Sequence, residues 1–287
     1  MEKPQRPGMW ASTLSAPFLI IVLTLLFWPL IILAQRSLQP EAGKGLTLAL
    51  YGEVITSSTY LRAFMNTAII SVLSTVLALV ICIPAAIYIE GKGGRGRKWL
   101  AVALTIPLSL PGIVIGFFVI LNFGLTGVVP QLIERVTGRR ELVLAYTFWG
   151  MLLGYLYFQI PRVVLVMRGA ISAISQDSID AARTLGASTL RVYFEVILPA
   201  LRPAIISASS LSLATGFGAF GTAATLSRGY RVVPLEIAAA FTENFKPAQA
   251  GALSLLLMLI TTTILFGVGN LDTARTRRRR ASTREGA

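Results

Sequence analysis

Of the 287 residues 54% are hydrophobic and only 14% charged, against about a quarter charged in soluble domains, and an apolar excess of that size must face lipid. The net charge of +13 invites a nucleic-acid reading, but the basic residues sit in short loops and at the termini, where membrane orientation is set. With no His and one cysteine, Cys82, inside an apolar run, disulfides, thiolate zinc sites and histidine acid–base catalysis are excluded, and no metal site is expected.

Six runs lack Asp, Glu, Lys and Arg: 17–35, 66–89, 100–123, 142–160, 204–226 and 248–270. Each is long enough to cross a bilayer, which takes about 20 helical residues. Unpaired backbone groups are too costly in hydrocarbon for open strands, and the short alternating segments of a barrel are missing, so all six are expected as helices. The first run follows Lys3 and Arg6 and resembles a signal peptide. Its apolar core is long, and Leu33-Ala34-Gln35-Arg36 offers no small-x-small cleavage site, so it reads as an uncleaved anchor.

The chain divides into an N-terminal segment (1–16), a first span with its outer loop (17–61), a core transmembrane domain (62–270) and a basic tail (271–287). Of the 26 Lys and Arg, 17 fall in the segments on the N-terminal side of the membrane, which places both termini in the cytoplasm. The tail is expected to be irregular and drawn to anionic lipid headgroups. Trp149 suits an aromatic belt at the outer face.

Pro107 and Pro111 lie one turn apart in the third run and are expected to kink it. Gly112/Gly116 and Gly150/Gly154 are GxxxG pairs, read as packing within the bundle rather than as a dimer seam. Gly91–Gly96 and Gly216–Gly221 match G-x-G-x-x-G, but neither lies between a strand and a helix, so neither is a dinucleotide site. No P-loop motif occurs, so ATP is not expected on this chain. No charged residue is expected at mid-membrane depth, which counts against an ion-coupled carrier. Uncharged candidates for a pathway lining are Asn122, Tyr155, Gln159, Thr215 and Phe217; a polar one taken singly also reads as a bond to a neighbouring helix.

Between the fourth and fifth runs lies a polar island, 175–203. Ser175 or Asp177 can cap a helix, with Asp177 and Asp180 near its positive end. Ala181 and Ala182 give it a small face, and Gly186 suits a left-handed C-terminal cap. Ser188 can cap a second short helix, and Pro199 and Pro203 re-aim the chain into the fifth span.

Asp180-Ala181-Ala182, three residues, Gly186, nine residues, Val196, one residue, then Leu198-Pro199 resembles the EAA loop of permease subunits of binding-protein-dependent ABC importers. Asp180 departs from the usual Glu. The resemblance implies an all-α integral membrane protein of the type I ABC importer permease fold, with six transmembrane helices and a cytoplasmic coupling loop over about 172–198. It implies no catalytic site. It assigns Asp180, Ala181, Ala182, Arg183, Gly186, Ala187, Leu198 and Pro199 to ATPase coupling. The implied partners are two ATPase subunits that bind ATP and Mg, a second permease (a paralogue or an identical copy), an external or periplasmic binding protein and membrane lipid. The implied location is the bacterial inner membrane. The run from Ser210 to Phe241 is similar to permeases of the spermidine/putrescine type, which points to a polyamine-like organic cation or zwitterion. Aminophosphonate, opine, iron(III) and sulfate systems share much of the pattern. A secondary transporter or channel is the alternative from another class.

Overall fold

Helices account for all the regular structure among the described residues. The computed structural model describes residues 9–41, 45–91, 95–139 and 141–285, with side chains throughout except at 9–16, 95, 98, 101 and 270–285. Lys3, Arg6, Lys44, Arg140 and the Lys92-Gly93-Gly94 part of the first G-x-G-x-x-G match lie outside the described residues.

In chain order the helices are α1 (Met9–Ser37), α2 (Ala49–Thr56), α3 (Ser58–Glu90), α4 (Arg95–Ala103), α5 (Gly112–Phe123), α6 (Val128–Thr137), α7 (Phe148–Ser172), α8 (Gln176–Thr184), α9 (Thr189–Val192), α10 (Leu198–Ala200), α11 (Arg202–Phe217), α12 (Phe220–Leu226), α13 (Val233–Thr242) and α14 (Pro247–Glu285). A 3-10 turn, Ile106–Ser109, precedes α5, and a π turn, Tyr193–Ile197, joins α9 to α10. Five segments are long and apolar enough to cross a bilayer, and the count is six where the bent pair Thr189–Ala200 and Arg202–Phe217 is taken as one span.

Five boundaries differ from those read off the apolar runs, the first being the start of α3 at Ser58 instead of 66. The third span is Gly112–Thr137 rather than 100–123. Pro107 lies in the 3-10 turn and Pro111 is the extended N-cap of α5, so the prolines separate two elements instead of kinking one. The fourth span starts at Phe148, where the Thr147 hydroxyl accepts from the Gly150 N–H at 3.3 Å, and continues through Pro161 to Ser172. Arg162 and Arg168 therefore lie within the helix that forms this candidate span, which the apolar run ending at 160 did not include. The fifth run breaks at Gly218, which makes 220–226 a separate helix. The tail is helical to Glu285 instead of irregular, because its Arg and Ala residues are strong helix formers extending a helix already nucleated.

The chain forms two compact units. In the first, Met1–Ser57 with Ile237–Leu256, Leu50, Ala248 and Ala252 make a small core. The Gln249 backbone N–H donates to Glu41 Oε1 at 2.7 Å, and its Nε2 donates to Glu53 Oε1 at 3.0 Å. Gly251 lets the end of α1 approach: a Cβ there would stand 3.3 Å from the Ser37 nitrogen. Residues 17–36 of α1 include no buried residue, as a lipid-facing helix requires, and Ser37 at its end is buried.

The second unit, Ser58–Glu236 with Leu257–Ala287, packs α3, α5, α7, α11 and α12 together. Ile70, Ile115, Met151, Tyr155, Phe158 and Leu226 belong to one apolar cluster. A second contains Ala78, Cys82, Ala86, Val163, Met167 and Leu201. Between the two along α3 and α7 lies a fully buried polar layer, Ser71, Ser74, Thr75 and Gln159, which Ser212 of α11 joins. Gln159 Nε2 donates to Ser74 Oγ at 2.9 Å, while Gln159 Oε1, Ser71 Oγ and Thr75 Oγ1 have no partner. Glycines set the closest approaches, and both GxxxG pairs act within the chain: Gly112 and Gly116 meet Thr222 and Thr225 of α12, and Gly154 meets Thr222 and Leu226. Outside the spans, burial pushes the Tyr230 phenol above its ordinary value, and its hydroxyl donates to the Asn66 carbonyl at 3.4 Å.

Candidate functional site

The polar island folds as two short helices with a sharp joint between them. Asp177 lies in the first turn of α8 and Arg183 in its last, the arrangement the helix dipole favours. Ser175 occupies the N-cap position but makes no side-chain cap bond; the expected cap is absent, and Asp177 supplies charge only. The C-terminus closes as a Schellman motif: the Ala187 N–H donates to Ala182 O at 3.0 Å and the Gly186 N–H to Arg183 O at 2.9 Å. This closure needs a left-handed residue after the cap, and Gly186 has φ +82°. Ser188 then caps α9, its hydroxyl accepting from the Arg191 N–H at 3.3 Å.

Proline shapes the exit from α9. Pro199 has no N–H to give the Glu195 carbonyl, and the chain takes up a π turn in which the Leu198 N–H bonds to Tyr193 O. The two arms on either side of Leu201 meet at 65°. One face of this segment is anchored: Val192 is buried, and Tyr193, Ile197 and Leu198 pack on the second apolar cluster. The other face is bare: Leu185 is 88% exposed, Leu190 71% and Phe194 59%. Ala181, Arg183 and Gly186 are exposed too, while Ala182, Ala187, Leu198 and Pro199 are half-buried. Between α8 and the ends of α3 and α7 lies a cleft of about 570 Å³, with Glu90, Ile171, Asp180, Arg183 and Ile197 in its wall. Beside it Arg168 is paired with Glu90.

A second cleft, about 400 Å³, opens where α5, α7, α11 and α12 meet. Its wall includes Phe158 and Arg162 of α7, Thr215 of α11, Gly218 at the helix break and Gly112 at the start of α5. Of the candidate pathway residues only Thr215 is among those in this wall; its hydroxyl donates to the Leu211 carbonyl at 2.9 Å. Gln159 belongs to the buried polar layer, and Tyr155 is buried with its hydroxyl 3.3 Å from the Ala219 carbonyl. Phe217 is also buried, and Asn122 bonds back to Phe118 O at 2.8 Å.

Arg162 is invisible to a sequence reading in which any charge ends a span. It lies fourteen residues into α7, about 21 Å along it at 1.5 Å per residue, and about 9 Å deeper than Arg168. No described carboxylate pairs with it; its guanidinium stands 5.5 Å from the centre of the Phe158 ring. A charge at the centre of a span costs about 2.5–3.5 kcal/mol even on the mildest scale. A ring contact at that distance offsets about 0.5–1 kcal/mol, so packing does not explain the residue.

Residues 82–270 match the family described as "Binding-protein-dependent transport system inner membrane component". The chain belongs to this family. It is 29% identical over 220 residues to the molybdenum transport system permease protein ModB of Mycobacterium tuberculosis, covering 75% of this chain and 81% of that one. It is 25% identical over 253 residues to the sulfate transport system permease protein CysT of Salmonella typhimurium, covering 87% and 90%. A crystal structure of a bacterial ABC transporter that imports the acidic polysaccharide alginate superposes with a TM-score of 0.80 at 18% identity, over 92% of this chain and 95% of that one. The protein is thus a multi-pass, non-catalytic permease subunit of an ABC importer with the type I fold. The spermidine/putrescine subtype is not among these findings.

Proposed function

We propose that this permease transmits ATPase motion through α8–α10 and carries a small oxyanion delivered by an external binding protein. Its partners on this reading are two ATPase subunits, which hold the ATP and Mg, and a second permease, paralogous or identical. Both termini and the α8–α10 joint face the cytoplasm, as the distribution of Lys and Arg favours. The observation that carries the coupling role is the bare Leu185, Leu190 and Phe194 face on a segment whose opposite face is fixed in the bundle core. An apolar protrusion of this kind, rimmed by Arg183, Arg191 and Glu195, suits a cleft on another protein. Its rigid attachment lets a push on α8 reach α11 without loss in a flexible loop. Linkage then requires that substrate delivery on one side bias ATPase closure on the other.

For the substrate, the sequence favoured a polyamine-like organic cation or zwitterion and left aminophosphonate, opine, iron(III) and sulfate open. Relatives named for molybdenum and sulfate transport favour an oxyanion, since molybdenum in aerated water is itself a tetrahedral oxyanion, and a relative named for 2-aminoethylphosphonate fits a zwitterion that bears an oxyanionic group. Gly186→Pro tests the coupling role. At φ +82° proline is forbidden, so the joint between α8 and α9 should be lost while the core is untouched. Expected is wild-type membrane yield with at least tenfold less ATPase retention and uptake. A full ATPase complement with normal uptake refutes the coupling role.

A further inference from the structure

We infer that the cleft around Arg162 is an anion station on the permeation route, built for a small tetrahedral oxyanion. This rests on the importer reading and adds to it a residue and a charge requirement. The guanidinium stands in the wall of a cavity of about 400 Å³, several times the volume of a sulfate-sized ion, with room for retained water. It is within a span, with no described carboxylate to neutralise it. An unpaired arginine in such a place repels polyamines and attracts anions. Its planar fork also presents two parallel N–H groups to two oxygens of one oxyanion, which a lysine cannot reproduce.

The rest of the wall suits the same ligand. Gly112 opens α5, a helix of twelve residues whose N-cap, Pro111, makes no side-chain bond to the first turn. The first N–H groups of that helix and its dipole favour a negative charge beside Gly112. Gly112 and Gly221 let α5 and α12 pack closely beside the cleft: a Cβ on Gly112 would stand 3.1 Å from the Thr222 nitrogen, and one on Gly221 2.9 Å from the Ile113 nitrogen. The wall holds no Asp or Glu among the described residues, so it carries no negative charge to set against that of Arg162. The ordinary alternative is an arginine that only stacks on Phe158. That contact is long and leaves every N–H of the guanidinium without a fixed acceptor among the described residues.

The test uses the full-length chain purified from its native membrane with the subunits that accompany it, placed in nanodiscs of neutral lipid. Retention of radiolabelled sulfate and of spermidine is measured by equilibrium dialysis at low and high chloride. Expected is sulfate retention that falls with chloride and exceeds spermidine retention. In Arg162→Gln it drops at least tenfold, and in Arg162→Lys it is intermediate. Equal sulfate retention in wild type and Arg162→Gln, or a wild type that holds spermidine or neither probe, overturns the station. If Arg162→Gln does not reach the membrane, the wild-type comparison of the two probes decides alone. ATPase subunits are counted separately: their absence from the wild-type preparation defeats the importer assembly, and their presence without sulfate retention defeats only the anion station.

Discussion

Gly116 shows how little room single residues leave in this bundle. A Cβ there would fall 1.6 Å from Thr225 Oγ1 and 2.7 Å from Thr225 Cβ. Rotating Thr225 moves its hydroxyl but not its Cβ, so the helices themselves must separate. Gly116→Ala is expected to cost about 1–3 kcal/mol, the usual range for overpacking, and to lower the thermal midpoint of the purified protein. Thr225→Ala in the same chain should return part of the loss; unchanged melting in the single variant would show that α5 and α12 are not packed as described. The small spacing of Gly112 and Gly116 was legible in the sequence, but their partner was not, because Thr222 and Thr225 lie on a helix created by an unseen break at Gly218. Gly186 was legible for a different reason: a left-handed cap has few residue solutions, and its place after an acidic first turn identified it. Arg162 escaped for the converse reason. A rule that stops a span at any charge cannot find a charge placed inside one.

Among the elements, α3 and α7 are held together by two apolar clusters and, between them, a polar layer whose hydrogen bonding is incomplete. Ser74 accepts from Gln159. Truncating Ser74 alone leaves a second Gln159 group without a partner, whereas replacing both residues removes donor and acceptor together. Ser74→Ala should destabilise by about 1 kcal/mol, given that interhelical hydrogen bonds in membranes average about 0.6 kcal/mol. Gln159→Leu combined with Ser74→Ala should be closer to wild type than the sum of the single changes. A double-mutant cycle read by unfolding in mixed micelles checks this, and strict additivity would mean the two side chains do not interact. Apolar runs located all six spans because lipid demands length and hydrophobicity, and little else. They misplaced the ends of several elements because termini depend on caps and breaks: Thr147 at the start of α7, Pro111 before α5, Pro199 and Pro203 around the 65° bend. A π turn is local relief for a missing proline N–H, and composition alone does not announce it.

At the scale of the whole molecule, the chain exposes apolar surface of two kinds. Most of it lies along spans such as α1 and α3, where lipid is the natural solvent. The Leu185, Leu190 and Phe194 face is different, because it sits among Arg183, Arg191 and Glu195, and Leu190 and Phe194 lie on an arm that bends 65° away from α11. That contrast is the physical basis for the proposed docking surface, whose proposed occupant is an ATPase subunit. The family itself was readable from the spacing of Asp180, Gly186 and Leu198-Pro199, which fixes two helix ends and a bend in one segment. Substrate class was not readable from the same pattern, since coupling geometry is indifferent to the charge of what passes through the bundle.

Leu185→Cys gives the most direct measurement. The native Cys82 is buried, so the new thiol is the accessible one, and it can be probed with a membrane-impermeant maleimide and a short thiol crosslinker. Expected is no labelling from outside intact cells, labelling in inverted vesicles, and crosslinking to an ATPase subunit that nucleotide state alters. Labelling from the outside, or a thiol that stays free of any ATPase in an assembled importer, would contradict the coupling role of α8–α10.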